Sequence, residues 1–368
     1  MRVLLLSGSY PPMKCGVGDY TFQLCQALAE TPGTSVGVVT HLMADVDGAP
    51  GVEIFPITRK WGIADLSAVI RVVRAWRGDV LHVQYPTQGY RGWLPWFLPI
   101  LLATQHTPVV QTWHEYFLTE RAGVRTTLIA LPARDVVVVR PAYRERIAPR
   151  FRAIASRLKF HHIPNASAIP RVEMTASEKQ GLRHTFAPNG EVILVYFGFL
   201  LRHKGPDLLF EIADPARDRL IFIGDIDPQD RYHHSLLRRS HEPDWDGKVL
   251  FTGFLPPMEV ARLLAIADAV VLPFHDGGGL WNSSIHGAVL QGTFVLTTSS
   301  DRAGYSAEEN VYYSTIDKPE EMRLALNRYV GHKRSPNARI SLPDWRSIAE
   351  AHIHLYARLI GGTDPAHG

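Results

Sequence analysis

The chain has 368 residues, of which 46% are hydrophobic and 20% are charged. This length exceeds what one hydrophobic core usually holds, so we expect two domains in an ordinary globular protein. The formal net charge of +3 at pH 7 is too small to indicate a nucleic-acid partner. The two cysteines, Cys15 and Cys25, lack the number and spacing of a disulfide framework or a metal site, which favours a reducing cytoplasm.

Short apolar runs alternate with amphipathic stretches through the first half of the chain. The N-terminal apolar run is shorter than the ~7–15 residues of a signal-peptide core, so it predicts a buried strand. Predicted strands cover residues 3–6, 35–40, 80–83, 109–112 and 136–139, and predicted helices cover residues 20–29 and 66–76. Strands that alternate with helices are typical of a parallel, doubly wound sheet.

Residues 93–102 form a strongly hydrophobic run with two tryptophans and two prolines. The run is far shorter than the ~20 residues that a helix needs to cross a bilayer, so we expect no transmembrane segment here. We predict a core helix, and the alternative is a surface that touches a membrane. The alternative places the protein at the inner face of the membrane instead of free in the cytoplasm.

The same rhythm restarts in the second half, after a less regular basic stretch at residues 148–189. Predicted strands there cover residues 192–197, 220–223, 249–252, 269–272 and 294–297. We place a first Rossmann-like domain at residues 1–168 and a second at 169–342. Residues 343–368 contain an amphipathic helix, capped by Asp344, that returns to the first domain. We expect the two domains to face each other across a cleft, with ligands beyond the carboxyl ends of the strands.

The segment after predicted strand 269–272 contains three glycines and then Asn282, Ser283 and Ser284 at the start of a helix. The first N–H groups of a helix have no partner within it, and glycine lets backbone approach a ligand closely. Such a turn binds anions, with added donors from the Ser and Asn side chains. A phosphate cradle is one interpretation, and an ordinary loop with an N-cap is the other.

Two further glycine turns follow strands. Gly16 and Gly18 come after the first strand and lead into a helix, so their amides are candidates for a diphosphate, with a tight turn as the alternative. Lys204 comes after the strand at 192–197, just before a glycine and a proline. A lysine there can neutralise phosphate oxygens on a departing group, and a solvated surface lysine is the alternative.

His114 follows the predicted strand at 109–112, where a side chain can reach a ligand. For His114 we predict a contact with the substrate in preference to a purely structural role. For His82, which is in a similar position, both interpretations stay open. Nothing has the spacing of a metal site, a nucleophile elbow or a Walker loop, so neither a metal nor a cofactor is expected. The histidine pairs at 161–162 and 233–234 are expected on loops.

The ordered motifs resemble the GT-B glycosyltransferases, specifically the large retaining, family 4-like group that includes sucrose synthases and bacterial mannosyl- and glucosyltransferases. No single motif is decisive, but the set spans nearly the whole chain in the right order. The matching segments are Tyr10-Pro-Pro with Cys15-Gly16, Thr112-Trp-His114, Ile163-Pro-Asn165, residues 198–205, Phe251-Thr-Gly-Phe-Leu255, Ala267-Asp268 and the helix from Trp345.

The resemblance implies retaining, metal-independent hexosyl transfer from a nucleoside-diphosphate sugar. By it, Lys204, Gly16 and the helix start at Asn282, Ser283 and Ser284 hold the diphosphate. The backbone of Leu255 contacts the base, and His114 contacts the sugar. The acceptor it implies is a polysaccharide, a glycolipid precursor or a small molecule, and the oligomeric state stays open.

Cys15 and Ala166 stand where the family has glycine, and two further departures concern the donor site. The Glu-x7-Glu acids of the family, aligned through Gly292, become Gly279 and Gly287. Phe199 replaces an arginine expected at the diphosphate, and Arg202 is the candidate to replace its charge.

These departures leave two alternatives to the transferase. One is an epimerase or hydrolase of nucleotide sugars on the same fold, which needs a carboxylate to activate water. The candidates for that carboxylate are Asp19, Glu115 and Asp276. The other alternative is a binding subunit of the same shape that has lost turnover.

Overall fold

The computed structural model of the protein describes residues 1–105, 107–334 and 341–361. The chain divides into two compact units. Unit 1 holds residues 1–165 together with the chain from residue 343 onward, and unit 2 holds residues 166–342. Each unit is a sheet of mainly parallel strands with helices between them, so the predicted class of two doubly wound α/β domains is confirmed.

The sheet of unit 1 has seven strands within the described residues, in the order β3-β2-β1-β4-β5-β6-β7, and every neighbouring pair is parallel. Central strands such as β1 and β4 bury nearly every side chain, because helices cover both faces of a doubly wound sheet. The strands are β1 (Arg2–Leu6), β2 (Ser35–His41), β3 (Val52–Thr58), β4 (Val80–Tyr85), β5 (Val109–Trp113), β6 (Asp135–Val138) and β7 (Lys159–His162).

The helices between these strands are α1 (Gly16–Ala29), α2 (Leu66–Trp76), α3 (Leu94–Ala103), α4 (Val124–Ala130) and α5 (Arg152–Ala155). The prediction of a core helix at 93–102 is correct for one face only. Leu94, Leu98 and Leu102 of α3 are buried, whereas Trp93 and Phe97 are exposed. In the part of the chain that the structure describes, no helix is long and apolar enough to cross a membrane.

The sheet of unit 2 has the strand order β10-β9-β8-β11-β12-β14-β13, parallel except for the β13–β14 pair. Its strands are β8 (Val192–Phe197), β9 (Asp218–Ile223), β10 (Val249–Gly253), β11 (Ala269–Leu272), β12 (Val295–Thr298), β13 (Gly304–Ser306) and β14 (Val311–Ser314). Its helices are α6 (Ala176–Phe186), α7 (Leu209–Ile212), α8 (Arg231–Ser240), α9 (Pro257–Ile266), α10 (Ser283–Leu290) and α11 (Pro319–Tyr329).

The last helix, α12 (Trp345–Gly361), belongs to unit 1. Asp344 caps it, since its carboxylate accepts the N–H of Ser347 at 2.8 Å. The helix packs against α1, where the rings of Trp345 and Tyr20 lie 5.2 Å apart. Its Tyr356 hydroxyl lies 2.6 Å from Nδ1 of His82, so a buried polar contact joins α12 to the sheet.

Candidate functional site

In unit 2 the candidate residues gather where the strand order changes direction. β8 pairs with β9 on one side and with β11 on the other, so the chain leaves the adjacent ends of β8 and β11 toward opposite faces. Such a switch point leaves a crevice at the carboxyl ends of the strands, where doubly wound sheets bind ligands. The loops that follow these two strands carry Lys204 and Asn282.

The two loops are held together by backbone contacts. The N–H of His275 donates to the carbonyl of His203 at 3.1 Å. Gly205 has φ +65°, and a Cβ there would lie 2.3 Å from the carbonyl oxygen of Pro273, so only glycine fits. This close approach places Lys204, whose Nζ lies 4.7 Å from the ring centroid of Phe274.

The start of α10 lies beside the same loops. Asn282 is its N-cap, and Oδ1 accepts the N–H of Ser284 at 3.1 Å. A Cβ on Gly198 would lie 3.2 Å from Oγ of Ser284, so the end of β8 meets the helix start. Ser283, the first residue of α10, is exposed. The structure thus brings Lys204 and Asn282–Ser284, which are about eighty residues apart in the sequence, to one switch point.

Arg202, which shares the loop after β8 with Lys204, and Leu255 make contacts with other parts of unit 2. The Arg202 guanidinium stands 5.2 Å from the ring of Tyr232 in α8, and the side chain is exposed. Leu255 follows β10, which is two strands from β8 in the sheet order, and it packs partly buried against the core of unit 2.

The two glycines that align with the family's acids have no room for a side chain. A Cβ on Gly279 would lie 2.0 Å from the ring of Trp281. A Cβ on Gly287 would lie 2.8 Å from Oγ of Ser167 and 3.3 Å from Ile169. A carboxylate side chain at either position would therefore require Trp281 or Ser167 to move.

In unit 1 the two candidate glycines of α1 differ in their surroundings. Cys15 is the N-cap residue and makes no side-chain capping hydrogen bond. Gly16 is exposed, and a Cβ there would meet nothing within 4 Å. Gly18 instead packs against the backbone of Ser9, 3.2 Å from its would-be Cβ. The placement leaves Gly16 accessible to a ligand and gives Gly18 a role in packing α1 on the strand end.

Asp19 lies in the first turn of α1 and is half-buried. Burial raises the pKa of its carboxyl from 3.8 to about 6. Of the other two carboxylates that were candidates to activate water, Glu115 forms an ion pair with Arg140 and Asp276 is exposed.

His114 is a neutral, oriented imidazole at the end of β5. The backbone N–H of His114 donates to the carbonyl of Tyr85 at 2.8 Å, and the ring Nε2 lies 2.9 Å from Oε1 of Gln84. An amide oxygen only accepts, so Nε2 carries the proton and Nδ1 is the acceptor nitrogen of the ring. Burial, with smaller contributions from Arg140 and His352, lowers the pKa of His114 to about 3.

His82 is part of the same network and is a structural residue. Its Nε2 lies 2.7 Å from Oγ1 of Thr112 and 3.3 Å from the amide nitrogen of Gln84, which donates. Nδ1 therefore carries the proton and donates to Tyr356. Burial holds the pKa of His82 well below its usual range, and nearby His352 lowers it further.

Gln84 and Tyr356 were missed by the sequence analysis. The available signal was a pair of polar residues two apart, hence on one face, in the buried strand β4. The expectation of loops around the two histidine pairs was wrong: His161 is in β7, where it bonds Asp135 at 2.9 Å, and His233 is in α8. Among the described residues, no three His, Cys, Asp or Glu side chains are grouped to hold a metal ion.

No family model and no curated protein matches the chain. The chain does match solved structures. A sucrose-phosphate synthase from Thermosynechococcus elongatus matches with a TM-score of 0.79 and 18% identity, over 99% of this chain and 100% of that one. HepE of Anabaena, solved with UDP and glucose, matches with a TM-score of 0.74 and 18% identity, over 97% of this chain and 99% of that one.

A third structure, the catalytic domain of starch synthase IV from Arabidopsis thaliana bound to ADP and acarbose, matches with a TM-score of 0.70 and 12% identity. That match covers 98% of this chain and 99% of the other. At such low identities the similarity defines the fold alone. The chain has the GT-B fold of these glycosyltransferases.

Proposed function

We propose that the protein is a glycosyltransferase that moves a sugar from a nucleoside-diphosphate sugar to a carbohydrate, glycolipid-precursor or small-molecule acceptor. The observation that carries the proposal is the meeting of Lys204, the loop after β8 and the start of α10 at the switch point of unit 2. A cation and a helix start side by side suit a diphosphate. The structures with the same fold, which include HepE with UDP-glucose, support this choice of donor.

The proposed reaction is retaining and uses no metal ion. The bond between the anomeric carbon and the diphosphate oxygen breaks, and negative charge grows on the diphosphate. Lys204, the N–H of Ser283 and the hydroxyl groups of Ser283 and Ser284 stabilise that charge, with Arg202 as an outer cation. The acceptor oxygen bonds to the anomeric carbon on the face that the diphosphate leaves, and the departing diphosphate takes the acceptor's proton, so no flanking pair of carboxylates is needed.

The remaining roles follow the placement of each residue. The amide of Gly16 is proposed to bind a donor phosphate, and Gly18 keeps that amide in place by packing. The backbone of Leu255 is proposed to contact the base. His114 is neutral at physiological pH, so we assign it an orienting hydrogen bond to the sugar, through Nδ1 as acceptor, and no charge.

One observation favours a second candidate, a binding subunit that takes the donor without turning it over. Packing closes the positions of both family acids, Gly279 and Gly287. Of these acids, the second grips the donor ribose in the family that the motifs resemble. This candidate predicts nucleotide-sugar binding with no transfer and no hydrolysis.

The first test is a thermal-shift screen with UDP, GDP, ADP, TDP and their sugar conjugates. A ligand at about a hundred times its dissociation constant stabilises the folded state by ~2.7 kcal/mol. Lys204→Ala removes a charge-assisted contact, so we expect donor binding to weaken by about 1–3 kcal/mol. Lys179→Ala, an exposed lysine on α6, is the matched control and leaves binding unchanged.

Product analysis by mass spectrometry with the donor so identified, and a panel of acceptors, separates the two candidates. Transfer supports the enzyme, and binding alone supports the subunit. A Lys204→Ala variant with the binding and turnover of wild type contradicts the assignment of the diphosphate site.

A further inference from the structure

One face of α3 in unit 1 is apolar and exposed. Trp93, Phe97 and Ile100 are 61%, 42% and 41% exposed, at the spacing that lines up side chains on one side of a helix. The opposite face buries Leu94, Leu98 and Leu102 in the core. A surface helix normally exposes polar residues, whereas the outer face of α3 exposes apolar ones.

The apolar surface extends to both sides of α3. The N–H of Leu94 donates to the carbonyl of Trp61 at 3.0 Å, so the turn that contains Ile63, which is 78% exposed, adjoins the start of the helix. α4 packs along α3 and begins with Val124, which is 73% exposed. We call Ile63, Trp93, Phe97, Ile100 and Val124 the apolar patch.

Basic residues lie near both ends of the apolar patch and along one side of it, and we call them the basic rim. At one end, Arg59 and Lys60 precede Trp61 and Arg91 precedes Trp93, and all three are exposed. At the other end, Nε of Arg74 bonds Oε1 of Gln105, just after α3, at 3.3 Å.

Along the side of α3, the guanidinium of Arg125 lies 5.9 Å from the ring centroid of Trp96. The segments at 59–65, 91–105 and 120–131 hold five basic residues and two acidic ones, Asp65 and Glu120. Asp65 accepts backbone N–H groups, including that of Gly62 at 3.0 Å.

We propose that the apolar patch and its basic rim bind the surface of an anionic lipid bilayer. Exposed tryptophan and aliphatic side chains enter the boundary between headgroups and acyl chains, and lysine and arginine attract anionic headgroups. A second copy of the chain fits this face less well, because a two-fold contact would set the basic rim against itself. The inference rests on unit 1 alone and does not depend on the reaction proposed above.

The test is co-sedimentation of the full chain with vesicles of phosphatidylcholine alone and of phosphatidylcholine mixed with phosphatidylglycerol. We expect binding to the mixed vesicles that weakens as salt is raised. The combined variant Trp93→Ser, Phe97→Ser and Ile100→Ser should lower the partition coefficient at least roughly tenfold, because less apolar area enters the bilayer. Leu324→Ser, on the exposed side of α11 in unit 2, is the matched control and keeps wild-type binding.

A second variant, Lys60→Glu with Arg91→Glu, tests the rim by itself. Reversal of two exposed charges should also weaken binding about tenfold or more, and only to vesicles with phosphatidylglycerol. If the serine variant melts at a lower temperature than the Leu324→Ser control, the charge-reversal variant tests the proposal by itself.

Three results would overturn the proposal. Wild-type protein that stays in the supernatant with both vesicles is one, and binding that neither variant weakens is another. The third is self-association that the serine variant abolishes, without vesicle binding, which would assign the face to a second copy.

Discussion

Units 1 and 2 have the same strand order around the switch point, but different residues lie at the ends of their strands. In unit 1 the ends of β4 and β5 carry Gln84 and His114, joined in a network of buried neutral side chains. In unit 2 the ends of β8 and β11 carry glycines and Lys204, held by backbone contacts. The same fold thus presents an oriented neutral imidazole in one unit and a cation with a helix start in the other.

The difference shows which contacts position the candidate residues in each unit. Both units use glycines where a Cβ would clash, Gly205, Gly278 and Gly279 in unit 2 and Gly8 and Gly89 in unit 1. Unit 1 adds side-chain hydrogen bonds that fix the tautomers of His114 and His82. Fold therefore sets the location of a site, and the residues at the strand ends set its chemistry.

The largest expected effect comes from Gly205→Ala in unit 2. A Cβ would meet the carbonyl of Pro273 in a backbone with φ +65°, so we expect a loss of about 3 kcal/mol or more in the free energy of unfolding. Gly16→Ala in unit 1 is the control, because its Cβ enters open space and helical alanine is favourable.

Urea denaturation, followed for separate transitions of the two units, measures both variants. Equal free energies of unfolding for the two variants would contradict the strict need for glycine at position 205. A loss confined to the transition of unit 2 would support it.

A smaller effect is expected from Tyr356→Phe in unit 1. The variant leaves the buried Nδ1–H of His82 without its acceptor, which costs about 1–3 kcal/mol of stability. Tyr312→Phe in unit 2 is the matched control, since that hydroxyl is only partly buried and its bond to Glu321 is long, at 3.3 Å. Thermal melts that show equal losses for the two variants would contradict a special polar core in unit 1.

The smallest effect is expected from Asp19→Asn. Burial raises the pKa of Asp19 in the folded state to about 6, so the ionised carboxylate destabilises the protein at pH 7. The cost fades as pH falls from about 6 to about 4, because the folded state then binds the proton more tightly than the unfolded state. The free energy of unfolding of the variant should therefore exceed that of wild type by about 1 kcal/mol at pH 7 and by nothing near pH 4. The figure includes a reduction for the partial solvent exposure of Asp19.

Denaturation at both pH values, with exposed Asp246→Asn as the control, measures this gain. A gain that is the same at pH 4 and pH 7 would contradict the role of ionisation.

Much of the fold was predictable because buried strands read as unbroken apolar runs. β8 and β11 have the predicted bounds, and α2 does too. The edge strands β3 and β7 were not predicted, since an edge strand is covered less and its sequence loses the apolar run; β3 even contains Pro56. The exposed face of α3 was only the alternative to a core helix, because hydrophobicity does not distinguish a core helix from a half-covered one.

The candidate site was predictable in its loops and not in its contacts. Glycines and Lys204 after strands marked the switch point of unit 2. The closure of Gly279 by Trp281, and of Gly287 by Ser167, depends on side-chain packing that spacing does not encode. The pairing of Gln84 with His114 depends on the register between β4 and β5, which the sequence does not state.

The return of α12 to unit 1 has a consequence for biosynthesis. Tyr356 follows His82 by 274 residues, and a ribosome that adds ~5–20 residues per second needs roughly 15 to 55 seconds to cover that distance. Unit 2 emerges as one continuous segment in the interval and can fold on its own schedule. Until α12 is made, Nδ1 of His82 lacks its Tyr356 partner and the side of α1 that α12 covers is exposed, so the nascent N-terminal half is open to aggregation for that time.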